Sequence, residues 1–277
     1  MKTLFPYIVE AADLAAAVAQ ETFQQENGIL IDLCKSSLYS QSHIPGAVYL
    51  DYTKIVATRP PVMGLLPDKQ QLQALLGELG ISPDTHVVTY DDEGGGKAAR
   101  FLWTLAAIGH QKMSLLNGGI HAWANERFPL ETEANLPQLS VSTYTIEFQD
   151  NVIATKEYIM EQLDNPACIF MDARSDAEYS GKKKFAERAG HIPGAINVDW
   201  SLLIDQNNSL RLKDNETLRN ILQSAGINEQ HEVIVYCQTH HRSALSFVAL
   251  TQLGFDKVKG YPGSWSDWGN SPSTPIE

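Results

Sequence analysis

HIPGAVYLDY at residues 43–52 and HIPGAINVDW at residues 191–200 are two copies of one motif, and they decide the fold. The sequences that follow them continue to match, because LPDKQQLQALLGELGI at 66–81 aligns without a gap with LKDNETLRNILQSAGI at 212–227. A unit of about half the chain can bury its own hydrophobic core, so this self-similarity predicts a duplicated domain.

Each copy alternates short apolar strands with amphipathic helices. GILIDL at 28–33 and ACIFMDA at 167–173 contain continuous apolar runs that lead into an Asp, which is typical of buried parallel strands. THVVTY at 85–90 and HEVIVY at 231–236 are runs of the same kind. Strands that alternate with helices predict an α/β fold with two tandem domains, each a parallel sheet flanked by helices.

The helices are predicted from the spacing of their apolar residues. Leu and Ile recur at helical spacing over 69–79 and 215–225, and Gly80 and Gly226 follow where helices commonly end. Another helix is predicted over 243–253, directly after the second VIVY strand.

The domain boundaries are predicted from a polar stretch, ETEANLPQLSVSTYTIEFQD at 131–150, which contains a proline and has no helical period. We expect a first domain over residues 1–135, a linker over 136–150 and a second domain over 151–277.

The composition excludes several classes of protein. The net charge of −12 disfavours nucleic acid as a partner, since such a surface needs clustered positive charge. No apolar run approaches the ~18 residues that a membrane span needs, so we expect no membrane partner. The N-terminus lacks the features of a secretory signal, and we therefore expect a cytoplasmic protein.

The cysteines also bear on location and cofactors. Cys34, Cys168 and Cys237 are odd in number and widely spaced, which argues against a disulfide framework and against a zinc site. Cys34 and Cys168 lie within or just after apolar runs and are predicted to be small buried hydrophobes. We expect neither a metal ion nor another cofactor.

The two halves differ most at one strand-to-helix turn. The first half reads Tyr-Asp-Asp-Glu-Gly-Gly-Gly-Lys at 90–97, whereas the second reads Tyr-Cys-Gln-Thr-His-His-Arg-Ser at 236–243. Ligands of parallel α/β sheets bind outside the carboxyl ends of strands, where a helix N-terminus stabilises anions and thiolates. Cys237, close to His240, His241 and Arg242, is therefore the candidate nucleophile.

A second difference adds a positive charge to the second half. Asp172-Ala173-Arg174 aligns with Asp32-Leu33-Cys34, so Arg174 lies at another strand end. It is a candidate anchor for an anionic substrate, with a structural ion pair to Asp172 or Asp176 as the alternative. The Lys-Lys-Lys run at 182–184 is predicted to be a solvated insertion that could raise the positive potential near the site.

The spacing Cys-x4-Arg at such a turn is compatible with two reactions. The related spacing of Cys-dependent phosphatases, Cys-x5-Arg, is one residue longer, so a tighter ring of N–H groups would suit a single sulfur atom better than a phosphoryl group. A Cys237 thiolate would attack the outer sulfur of a donor, and the N–H groups of 238–242 would hold the persulfide. A phosphatase remains the less favoured alternative.

These features together resemble a tandem-domain rhodanese, a thiosulfate:cyanide sulfurtransferase. The resemblance rests on both HIPGA segments, Asp-Ala-Arg at 172–174, CQTHHRS at 237–243 and GSWSDWGN at 263–270, and the loop resembles that of a bacterial subgroup. It implies an inactive first domain, a catalytic second domain, and a Cys237 that cycles between thiol and persulfide. It also implies that Arg174 corresponds to a substrate-binding arginine.

The resemblance carries expectations about substrates. We expect thiosulfate or a similar small sulfur donor, and as acceptor cyanide, a thiol or a sulfur-acceptor protein. Besides Cys237, the expected substrate-binding residues are the loop members Gln238, Thr239, His240, His241 and Arg242, the anchor Arg174, and Trp200 as a wall of the pocket.

The sequence departs from two family patterns. Thr239 stands where vertebrate rhodaneses have a lysine. Mercaptopyruvate sulfurtransferases have CG[ST]G in the loop and a second arginine near the strand end, which is missing here unless Arg188 replaces it. Mercaptopyruvate as donor and a sulfur carrier with slow turnover are the alternatives that stay open.

Overall fold

Residues 3–137 and 144–277 are described by the computed structural model of the chain. The strands, numbered in chain order, are β1 (Ile8–Val9), β2 (Gly28–Asp32), β3 (Val48–Tyr49), β4 (Ala57–Arg59), β5 (Val62–Leu65), β6 (His86–Tyr90), β7 (Met113–Leu116), β8 (Cys168–Asp172), β9 (Ile196–Asn197), β10 (Ile204–Asp205), β11 (Arg211–Leu212), β12 (Glu232–Tyr236) and β13 (Val258–Gly260). The helices are α1 (Ala11–Ala19), α2 (Thr22–Gln25), α3 (Ser36–Gln41), α4 (Lys69–Glu78), α5 (Gly96–Ala107), α6 (Gly119–Asn125), α7 (Lys156–Gln162), α8 (Asp176–Tyr179), α9 (Asn215–Ser224), α10 (Arg242–Gln252) and α11 (Ser264–Trp268). Short 3₁₀ turns cover Tyr52–Ile55 and Trp200–Leu203.

Each half of the sequence forms a parallel sheet. The first sheet has the strand order β1-β7-β6-β2-β3, and the second has the order β13-β12-β8-β9. All neighbouring strands within these two sheets pair in parallel. The predicted α/β fold with helices flanking parallel sheets is therefore confirmed.

The register of the second sheet sets the position of the candidate nucleophile. Asp172, the last residue of β8, pairs with Tyr236, the last residue of β12. The same pairing occurs in the first sheet between Asp32 and Tyr90. The chain turns directly after Tyr90 and after Tyr236, so in each half the divergent turn lies at the carboxyl edge of the sheet.

The matching helices α4 and α9 begin and end as their sequences predict. The Asp68 side chain accepts a hydrogen bond from the Gln71 N–H. In return, the Asp68 N–H donates to the side-chain oxygen of Gln71. Asp214 caps α9 through the Thr217 N–H. Just beyond their ends, Gly80 and Gly226 have φ angles of +71° and +81°, a backbone conformation that favours glycine.

The contacts divide the chain into two units. The first contains residues 1–55, 67–148 and 205–212, and the second contains residues 56–66, 149–204 and 213–277. Each unit therefore includes a short segment from the other half of the sequence.

Residues 138–143 of the predicted linker lie outside the described residues. Within the described part of the chain, no helix combines the length and the apolar character that a membrane crossing requires.

Candidate active site

Cys237 lies in the turn between β12 and α10, and its side chain is almost fully buried at 1% exposure. Strand β12 is an inner strand, flanked by β8 and β13, so it is covered on both edges. The Cys237 N–H donates to Ser264 Oγ at 3.3 Å, and Ser264 Oγ donates to the Tyr261 carbonyl at 2.8 Å. The nucleophile is thus fixed at the carboxyl edge of the second sheet.

The first turn of α11 orients the peptide groups that follow Cys237. The Trp265 N–H donates to the Cys237 carbonyl at 3.0 Å, and the Ser266 N–H donates to the Gln238 carbonyl at 3.0 Å. In a trans peptide the C=O and the next N–H point in opposite directions. These two bonds therefore direct the N–H groups of Gln238 and Thr239 away from α11 and towards the inside of the loop.

The loop holds the Cys237 thiol in an environment that favours the thiolate. Burial by itself raises the pKa of the thiol, but the positive charge of Arg242 lowers it. Hydrogen bonds to the sulfur from the Ser243 side chain, the Ser243 N–H and the Thr239 N–H lower it further. The net effect is a Cys237 pKa below the usual value of a thiol.

Arg242 is held in place by a buried carboxylate. Its two terminal nitrogens donate to Glu178 at 2.7 and 2.8 Å, a bidentate pair, and Glu178 is only 3% exposed. Burial raises the pKa of Glu178, but the hydrogen bonds and charge of Arg242, with those from Ser175, lower it to about 2. Glu178 is not among the site residues that the sequence predicts. It lies in the short helix α8, two residues after Asp176, and reaches Arg242 of the active-site loop from there.

The remaining loop residues surround this centre. His240 is fully buried and has a φ angle of +54°, and its Nδ1 lies 2.8 Å from Ser243 Oγ. His241 is partly exposed, and its ring centroid lies 6.4 Å from that of Trp200. The Gln238 side chain donates to the Phe185 carbonyl at 3.2 Å. Trp200 and the loop are therefore neighbours, and the role of Trp200 as a pocket wall stays a prediction.

Arg174 lies at the same sheet edge but points to other partners. Its guanidinium donates to Asp172 Oδ2 at 2.6 Å and to the Gly190 carbonyl at 2.8 Å, and it stacks 4.4 Å from the centre of the Trp265 ring. The side chain is 2% exposed. This geometry favours the ion pair with Asp172 over a direct anchor for a substrate anion.

The cationic side chains of the insertion, here residues 182–188, also differ in their surroundings. Arg188 donates to the carbonyls of Trp268 and Thr274 at 3.0 and 2.7 Å, so it holds the C-terminal segment rather than the loop. The three lysines at 182–184 are exposed, and the adjacent Phe185 accepts the hydrogen bond from Gln238. The insertion therefore contacts the loop through its backbone.

The corresponding turn of the first half is filled by its own carboxylate. Asp91, which aligns with Cys237, accepts hydrogen bonds from the N–H groups of Glu93, Gly95 and Ala98 at 3.0, 2.8 and 3.0 Å. Asp91 is 1% exposed. In the first half, the N–H groups of the turn are therefore taken up by the side chain of Asp91.

The other cysteines lie in environments of the opposite kind. Cys34 and Cys168 are buried, and burial raises the pKa of both thiols, that of Cys168 to about 12. Residues 3–137 and 144–277 contain no cluster of three or more His, Cys, Asp or Glu side chains placed to hold a metal ion. Among the described cysteines, Cys237 alone has a lowered pKa, and this arrangement suits nucleophilic attack on an electrophilic atom of an anion.

Comparison with known proteins relates this architecture to one family. The sequence profile of the rhodanese-like domain matches residues 11–126 and 155–271. The chain is 41% identical over 272 residues to a thiosulfate sulfurtransferase of Azotobacter vinelandii, covering 98% of this chain and 97% of the relative. It is 42% identical over 272 residues to a thiosulfate sulfurtransferase of Pseudomonas aeruginosa, with the same coverage. It is also 34% identical over 253 residues to the sulfur carrier protein TtuD of Thermus thermophilus, covering 86% of each chain.

Solved structures agree on the fold. The Tum1 protein of Saccharomyces cerevisiae superposes with a TM-score of 0.85 at 21% identity and 99% coverage of both chains. An anaerobic ergothioneine biosynthesis enzyme of Chlorobium limicola superposes with a TM-score of 0.88 at 20% identity, covering 98% of this chain and 70% of the other. At these identities the likeness concerns the fold alone.

Proposed function

This chain belongs to the rhodanese family, and from that premise we propose that it is a thiosulfate sulfurtransferase that works through a persulfide on Cys237. The observation that carries the proposal is the Cys237 environment, a buried thiol beside Arg242 that accepts hydrogen bonds from the Thr239 and Ser243 N–H groups and has a lowered pKa. The two thiosulfate sulfurtransferases at 41% and 42% identity over nearly the whole chain support the same activity.

In the first step the Cys237 thiolate attacks the outer sulfur of thiosulfate. A new S–S bond forms to Cys237 while the S–S bond of thiosulfate breaks, and sulfite leaves with the bonding electron pair. No proton moves in this step, because the attacking group is the thiolate and sulfite leaves as a dianion. The N–H groups of 238–242 and the N-terminal end of α10 stabilise the negative charge of the terminal sulfur.

In the second step an acceptor takes the sulfur. Cyanide attacks the terminal sulfur, thiocyanate forms, and the electron pair of the cleaved S–S bond returns to Cys237 as thiolate. A thiol or a sulfur-acceptor protein would react in the same way. The proposed contacts of the donor are the loop residues Gln238, Thr239, His240, His241 and Arg242, with Trp200 beside them.

We assign separate tasks to the two arginines of the site. Arg242 is proposed to stabilise the thiolate and the persulfide by its charge, because its guanidinium is partly exposed beside the sulfur. Arg174 is proposed to position the strand end through Asp172, since both side chains are buried and paired. The first domain is proposed to carry no sulfur, because Asp91 fills its turn.

Two alternatives to this function remain, a sulfur carrier and a sulfurtransferase that uses mercaptopyruvate as donor. The relative TtuD is named as a sulfur carrier protein, so a chain that loads sulfur readily but discharges it to one protein partner is a second candidate. Mercaptopyruvate as donor is less favoured, because its carboxylate would need a second cationic anchor and Arg188 is committed to the carbonyls of Trp268 and Thr274.

The test is the intact mass of the purified protein before and after thiosulfate, and again after cyanide. We expect a gain of one sulfur atom with thiosulfate and its loss with cyanide. Cys237→Ser should gain no sulfur, whereas Cys168→Ser, which removes a thiol with a raised pKa, should load as the wild type does.

The outcomes separate the alternatives. Loading by mercaptopyruvate but not by thiosulfate would replace the donor. Loading by thiosulfate with no discharge to cyanide or to a small thiol would favour the carrier. If neither donor adds sulfur to the wild type, the sulfurtransferase proposal is wrong.

A further inference from the structure

The catalytic unit includes a hairpin from the first half of the sequence. Strands β4 and β5 pair antiparallel, with Ala57 opposite Leu65 and Arg59 opposite Val62, and residues 56–66 belong to the same unit as Cys237. The hairpin lies in the first copy of the repeat, far from the active-site loop in sequence. Its contacts with that loop have no role in the mechanism described so far.

The hairpin is bonded to the helix that orients the loop. The Met63 N–H donates to Ser266 Oγ at 2.9 Å, and Ser266 Oγ lies 3.0 Å from the Met63 carbonyl and 2.8 Å from the Gly263 carbonyl. Ser266 is fully buried. Its side chain therefore joins β5 to the first turn of α11.

The backbone of the same serine reaches the loop. The Ser266 N–H donates to the Gln238 carbonyl at 3.0 Å, which fixes the plane of the peptide between Gln238 and Thr239. Since the C=O and N–H of a trans peptide are opposed, this bond turns the Thr239 N–H towards the interior of the loop. The Thr239 N–H is one of the donors to the Cys237 sulfur.

The hairpin also touches the loop directly at a residue without a side chain. Gly64 has a φ angle of +74°, and a Cβ placed on it would lie 2.2 Å from the Thr239 carbonyl oxygen. No side chain fits at that distance, so the close approach of β5 to the loop requires glycine here.

We infer that the hairpin of residues 57–65 is a positioning element of the active site, and that it sets the direction of the Thr239 N–H through Met63, Ser266 and the Gln238 carbonyl. The first half of the sequence thereby takes part in the chemistry of the second half, although it holds no nucleophile of its own. Met63, Gly64 and Ser266 are positioning residues, because they act on the sulfur through the Gln238–Thr239 peptide.

Gly64→Ala tests this inference, with Gly226→Ala as the matched control. Gly226 has a φ angle of +81°, but a Cβ there meets no atom of the described residues within 4 Å. The two variants share the backbone strain of alanine in the left-handed region, and only Gly64→Ala presses on Thr239. The difference between them reports the contact.

The first readout is the rate at which iodoacetamide alkylates Cys237 as a function of pH, with the site assigned by peptide mapping. We expect Gly64→Ala to move the midpoint to higher pH and to slow alkylation at neutral pH about tenfold, which corresponds to a loss of about 1.4 kcal/mol in the stabilisation of the thiolate. Gly226→Ala should keep the wild-type midpoint. Identical profiles for the two variants would overturn the inference.

Ser266→Ala gives a second test that stands if Gly64→Ala fails to fold. It removes the hydroxyl that joins Met63 to α11, and we expect the same shift with a smaller amplitude. Its control is Ser246→Ala, which removes a buried hydroxyl that has no hydrogen-bond partner among residues 3–137 and 144–277. Equal profiles for Ser266→Ala and Ser246→Ala would contradict the proposed role of Ser266.

The inference rests on the proposed function for its chemistry, and the two can fail separately. Alkylation needs no sulfur donor, whereas the intact-mass experiment needs one. If the wild type gains no sulfur but Gly64→Ala still shifts the alkylation profile, the sulfurtransferase proposal fails and the positioning role stands. If the wild type loads sulfur and Gly64→Ala loads and alkylates as Gly226→Ala does, the positioning role fails.

Discussion

Glu178 is a buried carboxylate that acts on the Cys237 thiolate indirectly, through its ion pair with Arg242. A half-buried Arg242 without a partner would be costly, and the bidentate pair with Glu178 offsets that cost while it fixes the guanidinium beside Cys237. The carboxylate is in turn held by Ser175, which donates to it at 2.8 Å. The site is therefore stabilised by a chain of charges that alternate in sign from Glu178 to Arg242 to the thiolate.

The lowered pKa of Glu178 predicts a pH dependence of stability. The pKa falls from 4.5 to about 2 in the folded protein, because the Arg242 pair more than offsets the effect of burial. A carboxyl with a depressed folded pKa stabilises the fold above its unfolded pKa, and this contribution is lost as the pH falls from 4.5 towards 2. We expect Glu178→Gln to be less stable than the wild type at neutral pH, and the difference in free energy of unfolding to narrow below pH 4.5.

Urea denaturation at a series of pH values measures that difference. Glu187→Gln, on the exposed part of the insertion, serves as the control and should leave the free energy of unfolding unchanged across the series. A Glu178→Gln deficit that is the same at every pH would show that the ion pair is not its source.

Trp200 is the residue from which sulfur loading should be observed in solution. Its ring is partly exposed and lies 6.4 Å from the ring of His241, so a negative persulfide in the loop would change its surroundings. We expect tryptophan fluorescence to change on addition of thiosulfate, and the change to be lost in Trp200→Phe. Trp103→Phe, a substitution in the buried part of α5, should retain it.

Among the elements, α4 and α9 are the ones whose sequences specify their structure most completely. Their apolar spacing, Asp N-caps and terminal glycines agree with one another, so local signals alone place both helices. The same holds for β2, β6, β8 and β12, whose apolar runs were predicted to within a residue or two of their bounds.

The capping box of α4 gives the prediction at this scale. Asp68→Ala removes the acceptor for the Gln71 N–H, and we expect a loss of about 1 kcal/mol in the free energy of unfolding. Asp68→Asn keeps a capping side chain and should be nearly as stable as the wild type. Urea unfolding of the three proteins checks this, and equal losses in both variants would point to the charge rather than the cap.

Part of the site could be predicted from the sequence, and the reason lies in what a linear pattern contains. Cys237 and Arg242 are five residues apart, and α10 begins at Arg242. Their proximity therefore follows from a single strand–helix turn. Glu178, Ser266 and Gly64 lie far from Cys237 in sequence, and their approach depends on how the elements pack. The buried pairing of Arg174 with Asp172 was an open alternative, because the sequence places Arg174 at the edge but does not direct its side chain.

At the scale of the whole molecule, the exchange of Cys237 for Asp91 is the difference between the two halves that changes the residue at the start of the turn. Both turns present N–H groups at the carboxyl edge of a parallel sheet, and the first holds its own carboxylate where the second is proposed to hold sulfur. Lys97 of the first half is already paired with Asp92 and Glu93 at 3.4 Å each, so its charge is not available to a thiolate.

This comparison predicts that a cysteine alone does not restore chemistry to the first half. We expect Asp91→Cys in a Cys237→Ser background to gain no sulfur from thiosulfate, because Asp92 and Glu93 would raise the pKa of the new thiol. Intact mass measures the outcome, the wild type is the positive control, and circular dichroism verifies that the variant is folded. A gain of one sulfur atom would contradict the assignment of the loop charges as the deciding difference.

The segments that the two halves contribute to each other's units have a consequence for the history of the gene. After a duplication, a copy on which the activity does not depend is ordinarily free to decay or to be deleted. Here residues 56–66 of the first copy belong to the unit that carries Cys237, and residues 205–212 of the second copy belong to the first unit. Each copy of the sequence therefore encodes a part of the other copy's structural unit. Deletion of one copy would damage both units, so natural selection for sulfur transfer would retain both halves of the gene.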